Sequence, residues 1–478
     1  MNWEAILPIA VVTITGILAL ICEMIRPKHQ NDLIVGVSLA GLVVAAGALV
    51  MQFTSPGFET FAETYVLDKF GTAIQLVIVL SAALCILFSE TYLRNKAIAF
   101  GEFYPLVLWS AVGAMLMSAT NNLLVLFLGL EILSVSLYVM AGLSRQEQRS
   151  EESAMKYFLL GAFASGFLLF GIAFVYGGTG SLNLGEIGLT WVRHQTELQV
   201  LVLFGLALML VGLGFKASLV PFHQWTPDVY QGAPTNVAAF MATVSKIGAL
   251  AALVRVLEAV APLSHVWMPP VMVLAAITML VGNLVALSQR DVRRILAYSS
   301  IAHAGYVLVA ILAHVKDPGR IGTGAVTYYL FSYAFTTIGA FAVVSLAAKD
   351  GSEPTSIDDM LGLYKRSPIA AVALVVCMLS LIGIPPSGGF VGKLMIFNDA
   401  VSAGLTPLAL VLAVSSAISI FYYLSIAIAA CSDDASVEGR FAKAGPAMVG
   451  TFVICIAGIL AAGVLAGPAL DFLRLVNR

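Results

Sequence analysis

Stretches of about twenty apolar residues recur along this chain almost without pause, and no other feature narrows its fold so far. A helix rises 1.5 Å per residue, so about twenty residues cross the roughly 30 Å hydrocarbon layer of a bilayer. Fourteen such runs can be drawn, near 5–25, 33–53, 69–93, 103–119, 121–143, 151–176, 199–221, 235–257, 267–289, 294–315, 322–348, 367–402, 405–430 and 445–470. They are continuously apolar rather than alternating, which predicts helices and not the strands of a barrel. Only 11% of residues are charged and 60% are hydrophobic, whereas a soluble domain carries about 25% charge. The expected fold class is therefore an all-α polytopic membrane protein.

The first run is preceded by Glu4 instead of basic residues and exceeds the about 7–15 apolar residues of a secretory leader, so it reads as a span. The longest polar connections, near 54–68, 177–198, 349–366 and 431–444, are loop-sized, and no soluble domain is expected. Placing the N-terminus outside puts fifteen Lys and Arg residues, among them Arg26, Lys28, Lys349 and Arg440, in cytoplasmic loops. Seven, including Lys69, Arg255, Lys316, Arg474 and Arg478, then lie on the opposite side, as the positive-inside rule asks. A net charge of -2 excludes a nucleic-acid binder that works through phosphate neutralisation. The cysteines Cys22, Cys85, Cys377, Cys431 and Cys455 are scattered singly with no metal-ligand spacing, and no metal or iron–sulfur site is expected in this chain. GGFVGK imitates a phosphate loop but has Ser387 where Gly is needed and Leu394 where Ser or Thr is needed.

Lys216, Lys246 and Lys393 fall within predicted spans, as does Glu131. A charge at mid-bilayer costs about 2.5–3.5 kcal/mol on insertion scales, so each needs a reason to be there. Structural ion pairs between helices are the bland explanation, but a buried pair gains little over an apolar replacement. Proton translocation is the alternative. Desolvation brings a lysine's pKa towards neutrality and a nearby carboxylate raises it again, so changing their separation makes a lysine hold or release its proton. Moving a charge against about 150–200 mV costs about 3.5–4.6 kcal/mol, which a swing of about three pKa units supplies. Arginine never releases its proton, and the deep basic residues are all lysines.

Two spans are interrupted. ASLVPFHQWTPDVYQGAP after Lys216 holds Pro221, Pro227, Gly232 and Pro234, and GIPPSGGFVGK places Pro385, Pro386, Gly388 and Gly389 just before Lys393. Unwound backbone at membrane depth is tolerated where it is enclosed or lines a cavity, and breaks in corresponding places of two halves point to a transport site. Met209-Leu210-x-x-x-Gly214-Phe215 recurs 169 residues later as Met378-Leu379-x-x-x-Gly383-Ile384. Glu131 and His303 stand 172 apart. A repeat of five helices, spans 4–8 and 9–13, is odd in number and so must be inverted. His303 is a candidate proton relay, or else a neutral histidine bonded across helices to Ser or Tyr. His223 is expected to brace the broken segment, and Asp228 to stabilise freed amides. Ser134 and Tyr138, on the Glu131 face, pack there or hold water.

The stretch KASLVPFHQWTPDVYQGAPTNVAAFMATVSK, from Lys216 to Lys246, resembles the N subunits of bacterial NADH–quinone oxidoreductase, respiratory complex I, which correspond to mitochondrial subunit 2. Together with GIPPSGGFVGK, the Glu of the fifth span and the lysines of the seventh, eighth and twelfth, the likeness covers nearly the whole chain. It implies a three-helix segment at 1–100, antiporter-like repeats at 101–260 and 261–431, the second inverted, and a C-terminal helix at 432–478. It also implies discontinuous helices 7 and 12 and a polar axis from Glu131, paired with Lys216, through Lys246 to Lys393. By the same resemblance the function is proton pumping driven by remote NADH-to-quinone electron transfer. The chain would bind no cofactor, with flavin and iron–sulfur clusters in partner subunits of a membrane arm, in a bacterial inner membrane. A multi-subunit cation/proton antiporter and a passive membrane-arm scaffold are the competing functions.

Overall fold

With no water to solvate a peptide group in hydrocarbon, each spanning segment must close its own backbone hydrogen bonds, and this chain does so with helices. The computed structural model describes residues 2–25, 31–96, 101–145, 147–193, 199–347, 355–432, 441–465 and 467. Arg26, Lys28, Lys349, Arg440, Arg474 and Arg478, used above for orientation, lie outside the described residues. An N-terminal part comprises α1 (Leu7–Ile25), α2 (Asp32–Gln52), the strands β1 (Phe58–Thr60) and β2 (Tyr65–Leu67), and α3 (Lys69–Asn95). α4 (Phe103–Ser118), α5 (Leu123–Ala141), α6 (Gln148–Thr179), α7 (Leu184–Arg193) and α8 (Gln199–Ala217) follow. The first half ends with α9 (Trp225–Gly232), α10 (Thr235–Phe240) and α11 (Lys246–Ala259). The second half holds α12 (Ser264–Leu287), α13 (Val292–Lys316), α14 (Gly324–Val344), α15 (Leu363–Arg366), α16 (Pro368–Ile382), α17 (Gly388–Ser402) and α18 (Thr406–Cys431). α19 (Pro446–Val464) comes last.

Twelve of the described helices are long and apolar enough to cross a membrane, α10 and α11 counting as one continuous helix over Thr235–Ala259. The other two expected spans hold shorter apolar helices, Phe103–Ser118 and Pro368–Ile382, the second of which continues across a break into α17. Two expected loops are more structured than their polarity suggests. The 54–68 connection is an antiparallel hairpin pairing Phe58 with Leu67, and 177–198 contains α7 and the last turn of α6.

Contacts at the helix ends define two faces. On one, which carries the hairpin, Arg255 binds Asp68 at 2.5 and 2.7 Å and His314 binds Glu258 at 2.5 Å. On the other, Asp228 accepts from Arg294 at 2.8 Å and from Lys156 at 3.2 Å, and Gly362 N donates to Ser432 O. α8 leaves the hairpin face, stops at Ala217 and resumes as α9 towards the opposite face, whereas α16 leaves that opposite face, stops at Ile382 and resumes as α17 towards the hairpin face. The two five-helix units are thus inverted relative to each other.

Both breaks use one local device. Ser218 at φ 63° and Gly383 at φ 90° turn the chain left-handed. Each sits just before an amide that reaches back five residues, Leu219 N to Gly214 O and Ile384 N to Leu379 O. The structural register of the repeat is therefore 165 residues at the breaks, one helical turn away from the 169-residue motif match. That match fails because a Met-Leu…Gly pattern fits any apolar helix surface, while the left-handed turn admits one alignment. α17 then starts with Ser387 accepting from Phe390 N at 3.3 Å, an N-cap of the ordinary kind.

Three helices at the centre are the most enclosed of the described spans: Thr235–Ala259 is buried throughout its most apolar stretch, and Val292–Lys316 and Gly324–Ala347 nearly so. α1, α2, α18 and α19 present most of their side chains outward. At the second break α16 and α17 approach so closely that a Cβ on Gly389 would sit 1.9 Å from Ser380 O. Gly389→Ala should force the half-helices apart at about 1–3 kcal/mol, as overpacking does. The amount of assembled subunit recovered from membranes should fall. Gly36→Ala, where an added Cβ meets nothing within 4 Å, should leave it unchanged.

Candidate functional site

Three lysines stand in the enclosed centre, Lys216 and Lys246 each 2% exposed and Lys393 7%. Among the described residues none of them makes a direct ion pair; each is held by neutral groups. Lys216, at the C-terminal end of α8, donates to Ser134 Oγ at 2.8 Å and Tyr157 OH at 2.9 Å, with its Nζ 5.1 Å from the centre of the Tyr157 ring. Lys246 donates to Ser300 Oγ at 2.6 Å and faces the Tyr230 ring at 5.9 Å. It follows directly on a single π-helical turn, Met241–Ser245, that widens this helix ahead of it.

Lys393 is bound differently. From the first turns of α17 it reaches back to the end of α16, donating to Leu381 O at 2.7 Å, Ile382 O at 2.9 Å and Ser416 Oγ at 2.8 Å. Those carbonyls were orphaned when α16 ended at membrane depth, and the negative end of the helix dipole favours a cation there. At the first break, Trp225 Nε1 supplies the equivalent cap to Phe215 O at 2.9 Å. Its ring stacks on Tyr157 at 4.4 Å, so the cap also fixes a partner of Lys216.

Glu131 is half-buried and accepts a short hydrogen bond from Ser165 of α6. It does not touch Lys216: Ser134, one turn along α5, takes the lysine's hydrogen bond in its place. Leu128, Ile132 and Val135 beside it are exposed, so this end of the row lies at the rim of the bundle. His303 sits between Lys246 and Lys393, its Nδ1 2.7 Å from Tyr329 OH and its Nε2 3.1 Å from Tyr423 OH. Ser300, which binds Lys246, lies one turn before it on α13, and Tyr306, over which Lys393 Nζ sits at 5.3 Å, lies one turn after. Polar atoms thus succeed one another from Glu131 and Ser165 through Ser134, Lys216 and Tyr157 to Lys246, Ser300, His303 and Lys393. Tyr230 OH, Ser245 Oγ and Tyr333 OH are buried in the same region.

Sequence reasoning passed over the tyrosines. Tyr157, Tyr230, Tyr306, Tyr329 and Tyr423 carry no mark in the sequence, and burial at 0–2% exposure together with their polar contacts places them in the row. Asn283, which bonds both Tyr306 OH and Tyr422 OH, carries the one clear signal, an amide in an apolar span. Two smaller expectations change. Asp228 pairs with Arg294 and Lys156 side chains instead of freed amides; burial raises its carboxyl, but those two cations outweigh it and hold it below the usual range. His223 braces the segment through its backbone, its carbonyl accepting from Thr226 N at 2.9 Å.

A family model described as NADH:quinone oxidoreductase/Mrp antiporter, TM, matches residues 120–419. NADH-quinone oxidoreductase subunit N of Trichlorobacter lovleyi is 38% identical over 472 residues, covering 98% of this chain and 96% of the relative. A chain of respiratory complex I from Thermus thermophilus superposes with a TM-score of 0.83 at 36% identity, covering 97% of this chain and 99% of that one. A chain of the Mrp complex from Dietzia sp. DQ12-45-1b superposes with a TM-score of 0.87 at 22% identity over 100% and 97%, a likeness of fold alone.

Trp225→Phe should keep the ring stack but leave the buried Phe215 carbonyl with Ser218 N as its one remaining donor, at a cost of about 0.5–1.5 kcal/mol. The thermal midpoint of the membrane complex should drop accordingly. An unchanged midpoint would show that the indole cap contributes nothing.

Proposed function

This chain belongs to the NADH:quinone oxidoreductase/Mrp antiporter transmembrane family, and within it with the N subunits of NADH-quinone oxidoreductase, and on that premise we propose that Glu131, Lys216, Lys246 and Lys393 carry the protons it translocates. The chain is a membrane subunit that couples NADH-to-quinone electron transfer, carried out elsewhere in the complex, to proton pumping. Flavin and iron–sulfur clusters belong, in this reading, to partner subunits, and other membrane-arm subunits flank the chain at both ends of the polar row.

One observation carries the assignment of residues: three lysines are buried inside the helix bundle with hydroxyls and carbonyls around them and, among the described residues, no carboxylate in contact. A structural cation would be neutralised by a partner. A hydroxyl accepts from an ammonium and donates to an amine, so Ser134, Tyr157, Ser300 and Ser416 can serve either protonation state. Glu131 lies one turn from Ser134, where a small movement of α5 or α6 would bring its charge onto or away from Lys216. Its place at the rim suits a signal arriving from a neighbouring subunit. His303, with both ring nitrogens on tyrosine hydroxyls, is a relay between the halves at 101–260 and 261–431.

The orientation proposed puts the hairpin face, and with it the N-terminus, on the periplasmic side of a bacterial inner membrane. It is supported by Arg145, Arg149, Lys156, Arg290, Arg293 and Arg294, which gather towards the other face. Membership of an antiporter without electron transfer rests on the likeness to the Mrp chain, which speaks to fold; the identities over nearly full length favour the oxidoreductase.

Lys216→Ala and Glu131→Ala, tested in membranes containing the assembled complex, should each lower NADH-driven proton pumping about tenfold, equivalent to about 1.4 kcal/mol on the transfer barrier. If both variants assemble and pump like the parent, the lysines are structural and the subunit is a scaffold.

A further inference from the structure

A second group of titratable residues lies apart from the row of lysines, where α11, α13 and α17 reach the hairpin face. His314, 7% exposed, is held at both ring nitrogens: Nδ1 is 2.7 Å from Ile321 O and Nε2 is 2.5 Å from Glu258 Oε1. A carbonyl oxygen only accepts, so Nδ1 keeps its hydrogen at all times. The Nε2–Oε1 contact must then hold one proton, on the imidazolium when Glu258 is a carboxylate or on the carboxyl when the ring is neutral. The pair shares a single movable proton: from the carboxyl it passes to water, and a proton taken up at the same contact replaces it, so that only N–H and O–H bonds are made and broken.

Its position suits transfer. His314 follows His303 by eleven residues on α13, a rotation that returns to within about 20° of the same face and a rise of about 16 Å. Asp399, six residues beyond Lys393 on α17, is near enough to His314 for a direct electrostatic interaction. Glu258 is 36% exposed and, with His314, lines a cavity of about 280 Å³ shared with Asp68, Lys69, Arg255 and Thr323. Arg255 in that cavity is fully engaged by the two oxygens of Asp68 and by Ser118 O, and an arginine keeps its proton. The His314–Glu258 pair is the exchangeable member of the group.

Resting on the translocation reading above, we propose that His314 and Glu258, with Asp399 behind them, form the release station through which the proton leaving Lys393 reaches water on the hairpin face. A merely structural His–Glu pair would tie α11 to α13 and have no effect on where protons go.

The test uses the intact oxidoreductase complex in proteoliposomes, measuring protons translocated per NADH oxidised. His314→Ala and Glu258→Gln should each lower that ratio as far as Lys393→Ala does, with the double variant no lower than either single one. Imidazole added on the release side should restore the ratio in His314→Ala and leave Lys393→Ala unrestored, because a small base fills the cavity but not the sealed centre. A full ratio in His314→Ala and Glu258→Gln, or a lowered one that imidazole does not restore, overturns the release station while Lys393→Ala remains impaired. A full ratio in Lys393→Ala and Lys216→Ala overturns the translocation reading itself.

Discussion

A helix that stops in the middle of a bilayer leaves carbonyls that hydrocarbon cannot solvate, and the architecture of this chain is arranged around two such ends. Each unsatisfied peptide group there costs several kcal/mol, so something polar must be brought to it. At α16 that group is the ammonium of Lys393, and at α8 it is the indole of Trp225. Structural necessity and a charged or polarisable group in the interior arise from one event, the broken helix. The inversion of the two units means that α8 and α16 approach their breaks from opposite faces.

The surroundings of the lysines explain how a charge can be kept there without being neutralised for good. A carboxylate in contact would hold an ammonium fixed, since separating a buried pair is strongly unfavourable. Hydroxyls and ring faces stabilise the charged form more weakly and also accommodate the amine. Tyr157 does both for Lys216, offering its OH at 2.9 Å and its ring at 5.1 Å. Its stack on Trp225 couples the lysine's pocket to the cap of the first break. Enclosure by α10, α11, α13 and α14 keeps the local dielectric low, where, under the translocation proposed, a displacement of Glu131 at the rim would act more strongly than in water.

Much of this was legible in the chain before folding. Runs of about twenty apolar residues leave helices as the sole economical solution, and the lysines and Glu131 stand out because charge is costly where they sit. Pro221 and the Pro385-Pro386 pair marked both breaks, because a residue without a donor cannot continue a hydrogen-bonded ladder. The register of the repeat was misread by one turn, since apolar side chains repeat promiscuously along any lipid-facing helix while the left-handed residues Ser218 and Gly383 do not advertise themselves. The hairpin at Phe58–Leu67 and α7 were taken for loops because short elements of mixed polarity at a membrane face lack the long apolar run by which the spans are recognised.

What the amino-acid sequence determined by itself is therefore the set of segments that must lie in the membrane, where they break, and which ionisable groups lie within them, all of which follow from the cost of moving a local group out of water. Which groups meet was decided by tertiary structure alone. Glu131 and Lys216 are 85 positions apart and stop short of contact because Ser134 and Ser165 intervene, and His314 finds Glu258 across 56 residues of chain. Such distances come from how helices pack side by side, and the apolar surfaces that pack them are too alike along this chain for pairing to be read from any one of them.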